Sequence, residues 1–592
     1  MHLPVIKKEN RYRRSIVNFG GLNLSQSFAD GELRDCIGIS HSEFPFITQR
    51  KKRETEFKCT SPTCAIFGEN EFVAADDGLY FNRKKVGNLS PGKKYIAALG
   101  NFITVFPDKM YYNMESGEFK SLSGERQTQG ATVKFTTNEI SVTSDYFVEE
   151  RIRENTKFSS NAFLVTYGKA SVSNGKVELT DFSLKKINEI GADAILYEKC
   201  KANQYRIVES INFLEQENCC EIINELVTVR NVTEKLFADF NKGDTVEIEG
   251  CTALPGNNKT VTVISKTDKK LVFAEGTFIE GTETENITIR RKIPDFTSVC
   301  VYENRLWGFA GNTIYASALG DATAFFTYQG ISTDSYSIQS NSAGDFTACV
   351  TYGNSCFFFK ETSCYKLYGS RPANFKLTEC YGMGLLKEDS KSIVTVGGRL
   401  FYKGNGGVYS FYGSMPVRIS DKLGVVKMEN AVAGTDGKLY YLSADTENGR
   451  EEFIFDAEKN LWCKSGITDV MGYASYGETV YCLMNDGIEK ISTEADNNAQ
   501  WSITLCPFDE KYYNTKNYSR LRIKAQLFEG AHMGVEVKYD RNNWENIGVF
   551  YGDSTRHLNI PCTVKSCHEF HIRIYGKGKS ILESVVREFS IN

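Results

Sequence analysis

The chain has 592 residues, 41% of them hydrophobic, and a net charge of −4. This leaves room for about three or four domains and excludes a protein whose whole surface binds polyanions. Its 49 glycines, 31 tyrosines and 39 phenylalanines, against only 11 prolines, favour many short strands with glycine-rich turns, so we predict a mainly all-β fold.

The sequence shows neither a membrane span nor a signal peptide, so we expect that the chain is not secreted by that route. No stretch approaches the roughly 20 apolar residues of a membrane span, and the first residues, MHLPVIKKENRYRRSIVNF, lack the apolar core of a signal peptide. The 17 cysteines occur singly within strand-like runs, as at Cys36, Cys200 and Cys251. We therefore expect reduced, buried thiols and no disulfide framework.

Residues 1–54 are predicted to form an extended N-terminal arm. The segment is basic near its start, where Arg11, Arg13 and Arg14 follow two lysines. A solvated arm and a docking arm for an acidic partner both fit this charge run.

Residues 55–119 contain two strand–turn–strand units. One surrounds the turn Asp76–Gly78, and the other surrounds Pro107 and Asp108. Alternating apolar residues on both sides of such turns are typical of hairpins. We predict that this segment is the first part of a β-propeller.

Residues 120–295 interrupt that pattern, since they are more charged and less aromatic. The sequence of 183–199 predicts a helix running into a strand, and the apolar spacing of 232–240 predicts a short helix. Residues 241–292 predict a small barrel-like β module. We interpret 120–295 as an inserted α+β region between two parts of one larger domain, and expect it to contact neighbouring subunits.

The hairpin pattern resumes over 296–500. Aromatic residues recur at Tyr365, Tyr409, Tyr441 and Tyr481, which are 44, 32 and 40 residues apart. Propeller blades of four strands recur at about 40–50 residues. We therefore predict a degenerate β-propeller of about six to eight blades, with its second part at 296–500. Longer strand-like runs after residue 501 predict a separate C-terminal β-sandwich over 501–592.

Several phrases resemble a group of virion proteins encoded by tailed phages and prophages, mostly of Gram-positive hosts. They include GDTVEIEGC, RRKIPDF, ENRLWG, GNTIYASALGD, GGVYSFYGSMPVRISD and CHEFHIRIYGKGKSILESVVREFSI. The resemblance covers roughly 240–592 well and 15–54 loosely. More loosely, the chain is similar to the propeller proteins of phage head–tail junctions, which stabilise packaged DNA or form the nozzle of the tail tube.

This resemblance implies a structural component of the virion in the head–tail connector, neck or tail. Its partners would be portal, connector or tail proteins and copies of itself in a ring, close to packaged DNA, with assembly in the host cytoplasm and no membrane. The residues that carry the family phrases are Asn304, Arg305, Leu306, Trp307, Tyr315, Ser317, Gly320, Asp321, Lys360, Glu361, Tyr365, Gly369, Gly407 and Tyr409.

Catalytic motifs are not found in the sequence. None of the six histidines lies in a nucleophile-elbow context, and no phosphate-binding or dinucleotide-binding fingerprint occurs. Cys562, Cys567, His568 and His571 have the ligand types of zinc, but strand alternation points neighbours to opposite faces. We therefore expect no catalytic site, cofactor or metal, and hence no enzyme.

A carbohydrate-binding or carbohydrate-cleaving propeller at the tail tip, used for host attachment, is the alternative. Trp307 and Tyr365 could stack on sugars, although blade cores need such aromatics too. Lys360 and Glu361 are predicted to form an exposed ion pair at a strand end.

Overall fold

The computed structural model describes residues 11–159, 164–173, 176–186, 194–196, 203–213, 219–552 and 554–592. The chain folds into two compact units. One contains the chain up to Phe119, Pro294–Ala322 and Tyr336–Asn592, and the other contains Lys120–Ile293 and Thr323–Ser335. Among the described residues there is no α-helix, and no helix has the length and apolar character needed to cross a membrane.

The first unit begins with five strands and two four-stranded sheets. The five strands are β1 (Arg11–Ile16), β2 (Leu33–Ile37), β3 (Ile39–Ser40), β4 (Ile47–Gln49) and β5 (Lys51–Phe57). The first sheet consists of β6 (Pro62–Ile66), β7 (Phe72–Ala75), β8 (Gly78–Phe81) and β9 (Lys84–Gly87). The second consists of β10 (Tyr95–Leu99), β11 (Phe102–Phe106), β12 (Met110–Asn113) and β13 (Phe119–Ser121).

The second unit consists of three sheets. Its strands are β14 (Arg126–Gln127), β15 (Val133–Phe135), β16 (Glu139–Val142), β17 (Phe147–Ser159), β18 (Leu164–Ser173), β19 (Lys176–Lys186), β20 (Ala194–Leu196), β21 (Gln204–Phe213), β22 (Cys219–Asn231), β23 (Thr245–Glu249), β24 (Thr260–Thr262), β25 (Ser265–Thr267), β26 (Lys270–Val272), β27 (Gly281–Glu283) and β28 (Thr288–Arg291). Their order is β14-β28-β23-β24, β25-β26-β16-β15-β27 and β17-β22-β21-β20-β18-β19. These are separate sheets, so the predicted barrel-like module is not a closed barrel.

The helix predicted at 232–240 is wrong, because this segment forms consecutive turns. Leu236, Phe237 and Phe240 are buried in the core of the second unit, against residues of its sheets. Their spacing therefore reflects contacts with strands and not one face of a helix. The segment 183–199, predicted as a helix running into a strand, lies largely outside the described residues. Its first residues, 183–186, are strand where a helix is predicted, and 194–196 are strand as well.

Five further four-stranded sheets follow in the first unit. Their strands are β29 (Val299–Tyr302), β30 (Arg305–Ala310), β31 (Thr313–Ala316), β32 (Tyr336–Gln339); β33 (Phe346–Tyr352), β34 (Ser355–Lys360), β35 (Cys364–Tyr368), β36 (Lys376–Cys380); β37 (Val394–Val396), β38 (Arg399–Gly404), β39 (Gly407–Phe411), β40 (Val417–Arg418); β41 (Glu429–Thr435), β42 (Leu439–Thr446), β43 (Gly449–Asp456), β44 (Leu461–Lys464); and β45 (Gly472–Tyr476), β46 (Thr479–Met484), β47 (Gly487–Ala495), with β5 as fourth strand. Short 3₁₀ helices lie at Pro255–Asn257, Pro372–Asn374 and Asp421–Leu423.

The seven four-stranded sheets form a ring. The first strands of neighbouring sheets contact each other in the order β6, β10, β29 and β33, and then in the order β37, β41, β45 and β6 again. The sheets that begin with β33 and β37 pack through a shared core that includes Phe359 and Tyr402. We call these sheets blades 1 to 7, numbered from β6. The predicted degenerate propeller of about six to eight blades is therefore confirmed, with seven blades among the described residues.

The ring closes through a strand from the other end of the sequence. β5 pairs with β47, so that Arg53 lies opposite Ile491 and Phe57 opposite Ile488. Because β5 then leads directly into β6, the chain passes from the outermost strand of blade 7 to the innermost strand of blade 1. β5 covers the outer edge of β47, so blade 7 has four strands and the two ends of the ring are joined in one sheet.

The C-terminal strands form a two-sheet sandwich. They are β48 (Gln500–Leu505), β49 (Lys516–Leu527), β50 (Ala531–Tyr539), β51 (Glu545–Gly552), β52 (Thr555–Pro561), β53 (Ser566–Cys567), β54 (Phe570–Lys577) and β55 (Ser580–Ile591). One sheet has the order β2-β48-β54-β50-β51. The other has β3-β4-β55-β49-β52, with β1 on β55 and β53 on β49.

The prediction of an extended N-terminal arm is therefore wrong for residues 11–54. β1 to β4 are built into the sandwich and β5 into blade 7. Arg13 binds Glu588 at 2.8 Å and Arg14 binds Glu510 at 3.3 Å, so these two guanidinium groups are paired with carboxylates of this chain. β1 and β4 pair with β55 and β2 pairs with β48, and these pairings bury Ile16, Leu33 and Ile47 in the core.

The sandwich and blades 5 and 6 share one hydrophobic core. It contains Phe401 and Trp462 from the blades together with Phe19, Ile503 and Phe589 from the N- and C-terminal segments. The backbone around Gly21 approaches Trp462 closely, because a Cβ at Gly21 would lie 2.7 Å from the backbone nitrogen of Trp462. A glycine is thus required where the N-terminal segment crosses blade 6.

The cysteines whose side chains the structure describes are free thiols, most of them buried. Burial raises the pKa of Cys36 to about 12, which keeps that thiol protonated and unreactive. Cys200 lies outside the described residues. The absence of disulfides from the folded chain stays a prediction, which mass spectrometry under non-reducing conditions would check.

A buried ion pair links blade 6 to the closing strand. Arg53 of β5 binds both carboxylate oxygens of Glu452 at 2.6 Å, and Tyr473 donates a hydrogen bond to the same carboxylate at 2.6 Å. The Glu452 side chain is 0% exposed and that of Arg53 is 9% exposed. Removing the guanidinium would leave a buried carboxylate with a single donor.

We predict that Arg53→Met lowers the free energy of unfolding by about 3–5 kcal/mol, because Glu452 would be buried without its counter-ion. Lys52→Met on the same strand is the control. Its ammonium is paired on the surface with Glu54, both side chains being 50% exposed, and we expect an effect below about 0.5 kcal/mol. The midpoints of urea unfolding, followed by tryptophan fluorescence, measure both. Equal midpoints for the two variants would contradict the role of this pair in closure.

Candidate functional site

The residues of the ENRLWG and YASALGD phrases lie within blade 3 and bind one another. Arg305 is buried and donates from Nη1 to the Ser317 carbonyl at 2.8 Å. The Leu306 N–H donates to Ser317 Oγ at 3.0 Å, and the Trp307 indole donates to the Tyr302 carbonyl at 2.9 Å. Trp307 is fully buried. These side chains hold the blade together and do not present a surface to a ligand.

The remaining residues of these phrases support turns. The Gly320 N–H donates to the Asn304 carbonyl at 2.8 Å, and the Asp321 N–H to the Ala318 carbonyl at 3.2 Å. The Tyr315 ring lies 6.2 Å from that of Phe296. Because Trp307 is fully buried, its indole cannot stack on a sugar, and the residue packs in the core of the blade.

Tyr365, Gly369, Gly407 and Tyr409 serve the packing of blades 4 and 5. Tyr365 is buried against Phe346 at 5.9 Å between ring centroids, and Tyr409 stacks on Tyr402 at 5.6 Å. Gly369 has a φ of 128°, and a Cβ there would lie 2.6 Å from the Asn374 carbonyl oxygen. Glycine is required at this close approach of two backbones.

The predicted exposed ion pair of Lys360 and Glu361 is wrong. Lys360 is only 2% exposed and donates to the carbonyl oxygens of Gly344 at 2.6 Å and Ser342 at 2.9 Å, and to Asn312 Oδ1. Desolvation lowers the pKa of its ammonium. Lys360 therefore ties blade 4 to the turn of blade 3 at Asn312, while Glu361 lies exposed.

We predict that Lys360→Met destabilises the chain by about 1–3 kcal/mol, because several buried acceptors lose their donor. The same substitution at Lys376, an exposed residue of β36, should stay within about 0.5 kcal/mol of the wild type. Differential scanning calorimetry gives both values. A Lys360→Met variant as stable as the Lys376→Met variant would show that this ammonium is not a structural link.

The candidate zinc ligands Cys567 and His571 lie on different strands and contact different groups. Cys567 ends β53 and its thiol donates to the Lys516 carbonyl at 3.7 Å, whereas His571 lies on β54 with Nε2 3.7 Å from a Glu569 carboxylate oxygen. Burial lowers the pKa of His571 to about 4. Within the residues that the structure describes, no group of three or more His, Cys, Asp or Glu side chains is placed to hold a metal ion.

One cavity of about 310 Å³ lies between β3 of the sandwich and blades 6 and 7. Its wall includes the carboxylates of Glu452 and Asp456, but these bind Arg53 and Lys459 at 2.6 Å each. His41 also lines it and has its pKa lowered by burial. The charged groups of this cavity are thus largely committed to internal pairs.

An open groove of about 700 Å³ lies between blades 4 and 5. Two tyrosines line it, Tyr381 just after β36 and Tyr412 just after β39, and they are 75% and 73% exposed. Met415, 62% exposed, lies beside them. Exposed apolar side chains that line one groove together, and are not scattered singly, are typical of binding sites.

Polar groups accompany these rings. Lys366, Glu379 and Asn354 line the same groove, and the Tyr352 hydroxyl is already used, since it donates to the Gly398 carbonyl at 2.8 Å. Desolvation raises the pKa of Tyr352, so its hydroxyl stays neutral. The groove thus combines flat, accessible apolar faces with hydrogen-bonding groups, which suits a sugar ring or a protein side chain.

The sequence analysis missed this groove. A signal was present, because each of the two tyrosines follows a strand directly and precedes a glycine, Gly382 or Gly413. Both glycines have positive φ, 73° and 84°, and these turns project the tyrosine rings outward.

Comparisons with known proteins leave the family of the chain open. No model of a protein family matches it, and no curated protein does. Among solved structures, an exo-β-1,3-galactanase from Phanerochaete chrysosporium matches with 10% identity, 48% of this chain, 92% of its own and a TM-score of 0.19. A family 43 arabinoxylan arabinofuranohydrolase from Bacillus subtilis matches with 8% identity, 50% of this chain, 66% of its own and a TM-score of 0.16. The N-terminal domain of Nup159 matches with 12% identity, 42% of this chain, 89% of its own and a TM-score of 0.16.

These comparisons contradict the prediction that the chain is not an enzyme, since the similar structures include glycoside hydrolases. At such TM-scores they identify no catalytic residue in this chain. The experiments below therefore include an assay for cleavage of saccharides.

Proposed function

We propose that the chain is a structural subunit of a tailed-phage particle, which assembles with copies of itself and with other virion proteins. The resemblance over roughly 240–592 supports this proposal. Its phrases coincide with internal contacts of the blades, such as Arg305 with Ser317 and Lys360 with Asn312. Such internal contacts make the blades rigid, which suits a subunit of a particle.

The exposed groove residues give this scaffold a surface for assembly. Tyr381, Tyr412 and Met415 are each more than 60% exposed, and tyrosine and methionine are enriched at the centres of protein interfaces. We propose that a neighbouring virion subunit covers this surface in the particle.

We predict that Tyr381→Ala with Tyr412→Ala leaves the melting temperature unchanged but removes the chain from particles, because central aromatic residues contribute about 2 kcal/mol or more each to interfaces. Particles made from a phage genome that lacks this gene, and complemented with each variant, are purified and probed for the chain. Tyr513→Ala, which changes a fully exposed tyrosine at the sandwich, is the control. Normal incorporation of the double variant would contradict assembly through this surface.

A second candidate function is carbohydrate binding in the same groove. Tyr381 and Tyr412 line one groove together with Lys366, Glu379 and Asn354. Such a surface can stack on sugar rings while its polar groups bind hydroxyls. This candidate rests on the groove alone.

If the groove binds carbohydrate, each single tyrosine-to-alanine variant should weaken binding of cell-wall oligosaccharides about tenfold, with Tyr513→Ala unchanged. Titration calorimetry measures binding, and an assay of reducing ends measures cleavage, with Glu379→Gln as the variant for the carboxylate in the groove. Loss of sugar binding together with normal particle incorporation supports this candidate over assembly. The reverse pattern supports assembly, and an effect on neither measurement contradicts both.

A further inference from the structure

A cluster of residues from four blades meets at the axis of the propeller. Tyr95 begins the innermost strand of blade 2, and Thr63 lies on that of blade 1. Lys391, just before the innermost strand of blade 5, donates from Nζ to the Thr63 carbonyl and forms a β-bridge with Val432 of blade 6. In a seven-membered ring blade 5 adjoins neither blade 1 nor blade 2, so this contact crosses the axis.

Two ammonium groups share one aromatic ring in this cluster. Lys391 Nζ lies 5.1 Å from the centroid of the Tyr95 ring and Lys93 Nζ lies 6.0 Å from it. Lys93 also donates to Ser390 Oγ at 2.9 Å, and that hydroxyl is 2.8 Å from the Tyr95 hydroxyl. Ser390 is buried, Lys391 is half-buried, and Lys93 remains accessible to solvent.

Neither ammonium has an anionic partner. Among the described residues no carboxylate lies within 4.0 Å of Lys93 or Lys391. The nearest buried carboxylate, Asp389, binds Lys403 at 2.9 Å and accepts from the Ala431 N–H at 2.8 Å. An ammonium has three donors, and Lys391 uses one of them on Thr63, so hydrogen-bonding capacity remains at both cations.

We propose that Lys93, Lys391 and Ser390 form a binding site for a small doubly charged oxyanion, such as phosphate or sulfate, on the axis of the propeller. Two like charges held near one ring repel each other, and a dianion between them removes that repulsion. Oxyanions bound by ammonium and hydroxyl donors form strong, charge-assisted hydrogen bonds. This inference rests on neither of the proposed functions.

The charges around Lys93 define the pH dependence of this site. Desolvation, with the Lys391 cation as second cause, lowers the pKa of Lys93 to about 8; Asp389 and Glu388 oppose this shift and Lys387 adds to it. Burial also lowers the pKa of Lys391 and raises that of Tyr95 to about 12. Because the oxyanion needs a protonated Lys93, its affinity should be complete below about pH 7 and fall as the pH rises through about 8.

Titration calorimetry of the full chain with sodium sulfate at constant ionic strength tests the site. We expect saturable binding at about pH 7, weakened about tenfold or more in Lys93→Gln and in Lys391→Gln, and unchanged in Lys84→Gln, which changes an exposed lysine of β9. Dimethyl phosphate, with one charge, should bind about tenfold more weakly than sulfate. Inorganic phosphate and phenyl phosphate separate a free ion from a phosphorylated ligand.

Sulfate keeps both charges between about pH 6 and 9, so any change of affinity in this range reports on the protein. Affinity should decrease with rising pH in the wild type and persist to about pH 9 in Lys93→Arg, whose guanidinium stays protonated. Absence of saturable binding, an equal loss in Lys84→Gln, or the same pH profile in Lys93→Arg and wild type would overturn the proposal. If Lys391→Gln does not fold, the two Lys93 variants decide, because that side chain is exposed.

Discussion

The pairing of β5 with β47 is the interaction on which the rest of the fold depends. It joins residues 51–57 to 487–495 and converts a row of sheets into a closed ring. The cost is the entropy of closing a loop of more than four hundred residues, but that cost grows only with the logarithm of loop length. The hydrogen bonds of one strand pair, the buried pair of Arg53 with Glu452, and the packing of blade 7 on blade 1 oppose it.

The sandwich reinforces this closure, because it ties the same two ends of the chain a second time. β1 pairs with β55 and β2 with β48. Arg587 near the C-terminus is buried, binds Glu510 and Asp30 at 2.9 Å each, and lies 3.7 Å above the Phe508 ring. The chain just before β5 is thus held to the strands that follow β47, which limits separation of the closing strand from β47. A chain that keeps its ends together in this way resists opening from either terminus.

Local sequence patterns predicted the blades well, and long-range contacts less well. Alternation and turn residues are local properties, so the hairpins and the approximate blade number follow from them. The position of β5 does not follow from local patterns, since a short strand can pair with many open sheet edges. Only closure of the ring determines that it pairs with β47. The error at Lys360 has a similar cause. Its neighbour Glu361 suggested a surface pair, but β34 is buried on both faces and places the lysine among carbonyl groups of the adjoining loop.

The candidate sites are harder still to predict, because each combines residues that lie apart in the sequence. The groove combines the ends of β36 and β39, and the axial cluster combines Lys93 with Lys391. In a chain with a net charge of −4, no composition argument predicts a local excess of positive charge. A ring produces one because it brings the first residues of several innermost strands to a single axis, where a cation from one blade meets a cation from another. The walls around the axis exclude part of the solvent that would otherwise screen them, so the local potential is a property of the closed ring and of no single blade.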